Sequence, residues 1–98
     1  MTSLHIQHPI TDLPTWVAAY AAFAEKRRMA GVVSETVRHP VGDERYIVID
    51  LDFATVDQAT AFRHFLETSV WASNQNSPAL GGTPEVKILE RVEVGATR

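Results

Sequence analysis

The chain contains no cysteine. That excludes disulfide frameworks, thiol nucleophiles and cysteine-based zinc sites together, and it fits a reducing cytoplasm. Long apolar runs are missing too. The longest, "WVAAYAAFA" at residues 16 to 24, falls far short of the ~20 residues that span a bilayer. No basic segment followed by an apolar one opens the chain at "MTSLHIQHPI", so no secretory signal is expected. Positive charge is scarce: 9 Lys and Arg against 12 Asp and Glu leave −3, which gives nucleic acid no basic face to bind. Neither helix is basic and amphipathic in the way a membrane-surface helix is. There is no glycine-rich phosphate loop, nucleophile elbow or paired metal motif, so neither a cofactor nor a metal is expected. A soluble, cytoplasmic, single domain spanning 1–98 remains.

What is present is a regular alternation of strand and helix patterns. In "SLHIQHP", residues 3 to 9, Leu4, Ile6 and His8 point one way and Ser3, His5 and Gln7 the other. This predicts a first strand stopped by Pro9. Asp12 and Pro14 are helix start signals, and Leu13, Trp16, Val17, Tyr20, Phe23, Ala24 and Arg27 recur at helical spacing up to Gly31, a natural stop. The cluster Lys26, Arg27, Arg28 falls near that helix end, where cations complement the dipole. Residues 32 to 40, "VVSETVRHP", and the run "RYIVIDLDF" after the turn-forming "HPVGDE" predict an antiparallel hairpin.

A second helix is expected over "TVDQATAFRHFLETSVWA". It opens on a capping box, Thr55 to Gln58, and buries Val56, Ala59, Phe62, Phe65, Leu66 and Ser69. Residues 73 to 84 read as a loop, 85 to 94 as a last strand, and "GATR" as a frayed tail. The order β-α-β-β-α-β predicts an α+β, ferredoxin-like domain: a four-stranded antiparallel sheet with both helices on one face.

That order gives "YIVIDLDF" a consequence. Ile47, Ile49, Leu51 and Phe53 must face the helices, so Tyr46, Val48, Asp50 and Asp52 share the open face with His5 and Gln7. Either that face is wet and the aspartates are solvated, or a second copy covers it. In the second case the carboxylates need partners among His5, Arg38, Lys87 and Arg91, because an unpaired buried carboxylate costs several kcal/mol.

The stretches "HPITDLPTW", "YIVIDLDF", "VWASNQNSPAL" and "GTPEVKILERVE" resemble the dimeric α+β barrel superfamily over residues 3 to 94. The similarity is closest to small actinobacterial-type members and more distant to antibiotic biosynthesis monooxygenases and polyketide cyclases. The resemblance implies a homodimer whose sheets face each other. It also implies a small-molecule site between sheet and helices, for an apolar or aromatic ligand. Members include cofactor-free and haem-degrading monooxygenases, lactone isomerases, cyclases and chlorite dismutases, so the fold by itself names no reaction.

Within that frame Trp71 and Phe62 are the expected pocket walls, Asn74 the polar orienter and His8 the acid–base group. Burial and turn chemistry also account for Trp71, Asn74 and Asn76, and a non-catalytic binding or interaction module is the rival reading. His5 is expected to pair with Asp50 or Asp52 across strands. His5 and His8 face opposite ways, which argues against chelation. His39 and His64 are expected in solvent, and Trp16, Tyr20 and Phe23 in the core.

Overall fold

The computed structural model describes residues 1–95. Its strands are β1 (Thr2–Pro9), β2 (Ser34–Arg38), β3 (Tyr46–Phe53) and β4 (Glu85–Glu90), with helices α1 (Leu13–Ala22), α2 (Ala24–Ala30) and α3 (Val56–Phe65). All strand pairs are antiparallel, in the order β2-β3-β1-β4. This is the expected ferredoxin-like sheet, with β1 and β3 central. The expected frayed tail, apart from Gly95, lies outside the described residues.

Alternation builds the core. Leu4, Ile6 and His8 of β1 and Ile47, Ile49, Leu51 and Phe53 of β3 are buried beneath the helices, together with Trp16, Ala59 and Phe62. The other parity faces away, as the sequence pattern requires. Asp12 caps α1 by accepting from the Thr15 backbone N–H at 3.1 Å, and Thr55 and Gln58 close a reciprocal box at the start of α3.

The open face answers the aspartate question within one chain. His5 lies opposite Asp50 and Ser3 opposite Asp52 in the β1–β3 register. Asp50 receives His5 Nδ1 at 2.8 Å and Arg38 Nη2 at 3.0 Å on separate oxygens. Asp52 accepts from the Ser3 hydroxyl at 2.5 Å and the Ser34 hydroxyl at 2.6 Å. Those two hydroxyls, Ser3 first, hold the Asp52 carboxyl below its usual range. Each carboxylate thus ties β2 to β3 to β1. Lys87, whose parity the sequence left open, sits opposite His5 on the same face. The bonds satisfy the carboxylates without a second copy.

Four expectations need correction. The first helix is broken at Phe23, whose backbone leaves the helical region (φ −102°, ψ 14°). Its N–H turns to the Tyr20 carbonyl at 3.2 Å, a tighter i→i−3 bond. No glycine or proline marks that break. The second helix ends in a π-helical turn, Leu66–Val70, closed by the Trp71 N–H on the Leu66 carbonyl at 2.8 Å. The wider turn shifts the phase, so Val70 is buried where Ser69 was expected. Val56, placed in the buried stripe of the second helix, is 42% exposed, and Val17, at helical spacing with Trp16, is 50% exposed. Finally, β4 stops at Glu90, short of residue 94.

Candidate functional site

Between the sheet and the helices lies a cavity walled by Ile6, Ile49, Trp16, Phe62, Leu66 and Trp71. It encloses about 60 Å³, and about 590 Å³ when the empty space out through its solvent-open mouth is counted. The smaller figure measures the room that is shut in. It is well under the ~300 Å³ at which pockets for drug-sized ligands begin. Its walls are apolar, and the polar side chains that reach them are few: His8, Tyr20, Arg27, Asn76 and Ser77.

Strand parity puts His8 here, on the helix side of β1, at only 2% exposure. Its Nδ1 lies 2.9 Å from the Pro9 carbonyl. A carbonyl only accepts, so Nδ1 must carry the proton. The same carbonyl accepts the Gly81 N–H at 3.0 Å. A Cβ on Gly81 would come within 3.2 Å of the Ile10 and Pro9 backbone, so glycine permits this close approach. Neutral His8 therefore presents Nε2 as an unprotonated acceptor, and no partner for it occurs among the described residues. Trp71 meets the imidazole edge-on, 6.4 Å between centroids at 71°.

Burial lowers the His8 pKa from 6.5, opposed in part by the bond to Pro9. The folded state thus takes up a proton less readily than the unfolded chain. The stability it contributes is present above pH 6.5 and is lost as pH falls through the lower folded-state value. In urea titrations the wild type should lose stability as pH drops below 6.5, and His8→Gln should lose less. Parallel pH curves for the two proteins would contradict this environment for His8.

The two irregular turns both border the cavity, and in each a cavity side chain binds a backbone carbonyl of the turn. At the Phe23 break the Tyr20 carbonyl accepts from Arg27 Nη1 at 2.6 Å, beside the Phe23 N–H. The π turn leaves the Ser69 carbonyl to Asn76 Nδ2, at 2.7 Å. Such π turns recur at functional sites. Arg27 is nearly enclosed, at 6% exposure, rather than a surface cation complementing a dipole. Its guanidinium carbon lies 3.6 Å from the centroid of the Tyr20 ring, which itself stacks on Trp16 at 4.8 Å. The Tyr20 hydroxyl donates to Glu35. Burial, then that carboxylate, pushes the phenol pKa up, and Arg27 opposes them.

The expected residues divide. Phe62, Trp71 and His8 line the cavity. Asn74 does not: both it and Asn76 are exposed in the loop after the π turn, but only Asn76 borders the cavity. The turn at 73–77 decides this, since the Ser77 N–H bonds back to the Ser73 carbonyl at 3.0 Å. His5 makes its cross-strand pair with Asp50, while His39 and His64 are exposed. Arg27 is the site residue that sequence reasoning missed, although its helical spacing with Trp16, Tyr20 and Phe23 carried the signal. A wider groove of about 460 Å³ between α2 and α3, beside Met29 and Phe65, is a less suitable site. It offers no buried polar group, since its Gln58 is committed to the α3 cap.

No family model and no curated protein sequence matches the chain. Solved structures do. A crystal structure of an antibiotic biosynthesis monooxygenase matches at a TM-score of 0.66 and 17% identity, covering 95% of this chain and 100% of the other. A protein of Agrobacterium tumefaciens matches at 0.64 and 14%, with both chains fully covered. A dimeric ferredoxin-like protein from an uncultured marine organism matches at 0.61 and 14%, covering 95% and 96%. Identities this low speak for architecture alone, and on architecture sequence pattern and structure agree: this chain has a ferredoxin-like α+β fold.

Proposed function

We propose that this chain is a cytoplasmic homodimer that binds a small apolar or aromatic molecule between sheet and helices, with His8 Nε2 accepting a hydrogen bond from it. The observation that carries the reading is His8 itself. It is an imidazole at an apolar cavity wall, held in one tautomer by the Pro9 carbonyl, so that its second nitrogen is an acceptor available to a ligand. Trp71 and Phe62 serve as walls. The orienting amide is Asn76 rather than Asn74, because Asn76 reaches the cavity. A phenol hydroxyl that donates a hydrogen bond to Nε2 is polarised toward phenolate, the electron-rich character that cofactor-independent oxygenation and ring-closing chemistry both draw on. The lowered His8 pKa keeps Nε2 unprotonated at neutral pH to accept that bond.

The enclosed 60 Å³ favours a single ring over a polycycle. It also supports the second reading, a binding module without turnover. Support for the dimer comes from the dimeric ferredoxin-like neighbour and from the open face, where Tyr46 and Val48 are half-buried and Leu89 is 42% exposed. Among the described residues no helix is long and apolar enough to cross a membrane.

Titration with monocyclic phenols should give a saturable change in the fluorescence of Trp16 and Trp71. Product formation with and without oxygen then separates oxygenation, oxygen-independent conversion and simple binding. If no phenol binds, the acceptor role of His8 fails. If phenols bind without turnover, the chain is a binding module. Sedimentation equilibrium at micromolar protein should report twice the 10.9 kDa chain, and a monomer there would remove the dimer from the proposal.

A further inference from the structure

The cavity contains a fixed positive charge. Arg27, 6% exposed, is the one side chain with a permanent charge in the buried set, and it lines the cavity beside Tyr20 and Trp16. A guanidinium carries five N–H donors. Among the described residues a single hydrogen bond engages them, Nη1 on the Tyr20 carbonyl. Nε lies 3.2 Å from Glu35 Oε1, close enough for an ion pair, yet it is buried and makes no hydrogen bond. The two observations agree once direction is considered: the charges attract, but the N–H does not point at the oxygen. Glu35, meanwhile, is 40% exposed at its side chain and already accepts from the Tyr20 hydroxyl. The guanidinium is therefore neutralised only partly and its donors are largely unspent.

Resting on the cavity reading above, we propose that Arg27 makes this a site for a small carboxylate with an apolar ring or tail. Its oxygens are received by the guanidinium and its apolar part by Trp16, Phe62 and Leu66. Arginine suits this ligand class because its planar fork matches a carboxylate with two parallel hydrogen bonds. The low-polarity walls strengthen that contact. Glu35 competes for the same charge, so its carboxylate sets how strongly an anion is held.

The test compares benzoate, benzamide and toluene, which share a ring and differ in the group offered to Arg27. Tryptophan fluorescence or ¹H–¹⁵N shift titration of the full chain at pH 7.4 gives the affinities. Benzoate should bind the wild type about tenfold or more tighter than toluene, the effect of one charge-assisted hydrogen bond, with benzamide between them. Arg27→Met should erase that preference while toluene binding is kept, and Arg27→Lys should retain part of it. Glu35→Gln should tighten benzoate and leave toluene unchanged, which keeps the proposal testable if Arg27→Met does not fold. Equal binding of benzoate and toluene by the wild type would overturn the carboxylate assignment and leave the cavity standing. So would a Glu35→Gln variant with unchanged benzoate affinity. If none of the three ligands binds, the cavity reading fails, and this assignment with it.

Discussion

Phe53→Ala should lower the unfolding free energy by about 3–5 kcal/mol, the cost of removing a fully enclosed phenyl ring. Phe53 is 0% exposed at the end of β3, and its ring lies 5.9 Å from that of Phe62 on α3. The ring is thus one of the contacts that press α3 onto the sheet. The loss has two parts: apolar surface returned to water, and a void that close-packed neighbours fill only partially. A domain of this size has only about 5–15 kcal/mol of stability, so the urea midpoint should fall sharply and the variant should be partly unfolded at body temperature. A cost below about 1 kcal/mol, the range of exposed sites, would mean that Phe53 does not anchor the layer between helix and sheet.

Gly31→Ala should cost about 2–3 kcal/mol through two coupled effects. Gly31 ends α2 in the left-handed region, φ 102°, where a side chain is strained by about 1–2 kcal/mol. An added Cβ would also meet Gln58 Nε2 at 2.7 Å and Cδ at 3.0 Å. Gln58 yields only by giving up its own work. Its Oε1 accepts from the Ala54 and Thr55 N–H groups, each at 3.2 Å, complementing the Gln58 backbone N–H that donates to the Thr55 hydroxyl at 3.1 Å. Pushing the amide aside uncaps α3, worth about 1 kcal/mol. A double-mutant cycle separates the two effects. In a Gln58→Ala background, Gly31→Ala should cost about 1 kcal/mol less, since the side-chain half of the capping box is already gone. Strict additivity would show that the two helix ends do not communicate.

Much of this was legible because β-strands alternate with a period of two. The parity of "YIVIDLDF" predicted which residues face the helices, and the order of elements made β1 and β3 neighbours. Together they predicted a cross-strand partner for His5 in Asp50 or Asp52, and the register selects Asp50. The Thr55–Gln58 box was readable for a similar reason: its partners are three residues apart. What escaped the sequence is what tertiary contacts decide. The chain breaks at Phe23 with no glycine or proline to announce it, and the compensation comes from Arg27, seven residues from the Tyr20 carbonyl it binds. The π turn depends on Asn76 reaching back to Ser69, and that turn moved Val70 into the core. Choosing Asn74 over Asn76 required the course of a loop whose turn chemistry suits both. Lys87 was ambiguous because Ile88 and Leu89 are adjacent apolar residues, which blurs the alternation of β4.

The cavity residues also show why a lone histidine on an apolar face is hard to judge from sequence. His8 shares its parity with Leu4 and Ile6, which fits a core histidine with both nitrogens bonded equally well. The structure separates the cases: the carbonyl of Pro9 takes one nitrogen, and the other is left to the cavity.

The most direct measurement is therefore a long-range ¹H–¹⁵N NMR spectrum of the His8 imidazole, without and with a small phenol. At neutral pH the ring should be neutral and protonated on Nδ1, with an unprotonated Nε2 whose resonance shifts clearly when the phenol is added. A ring protonated on Nε2, or a spectrum that the phenol does not perturb, would contradict this role for His8.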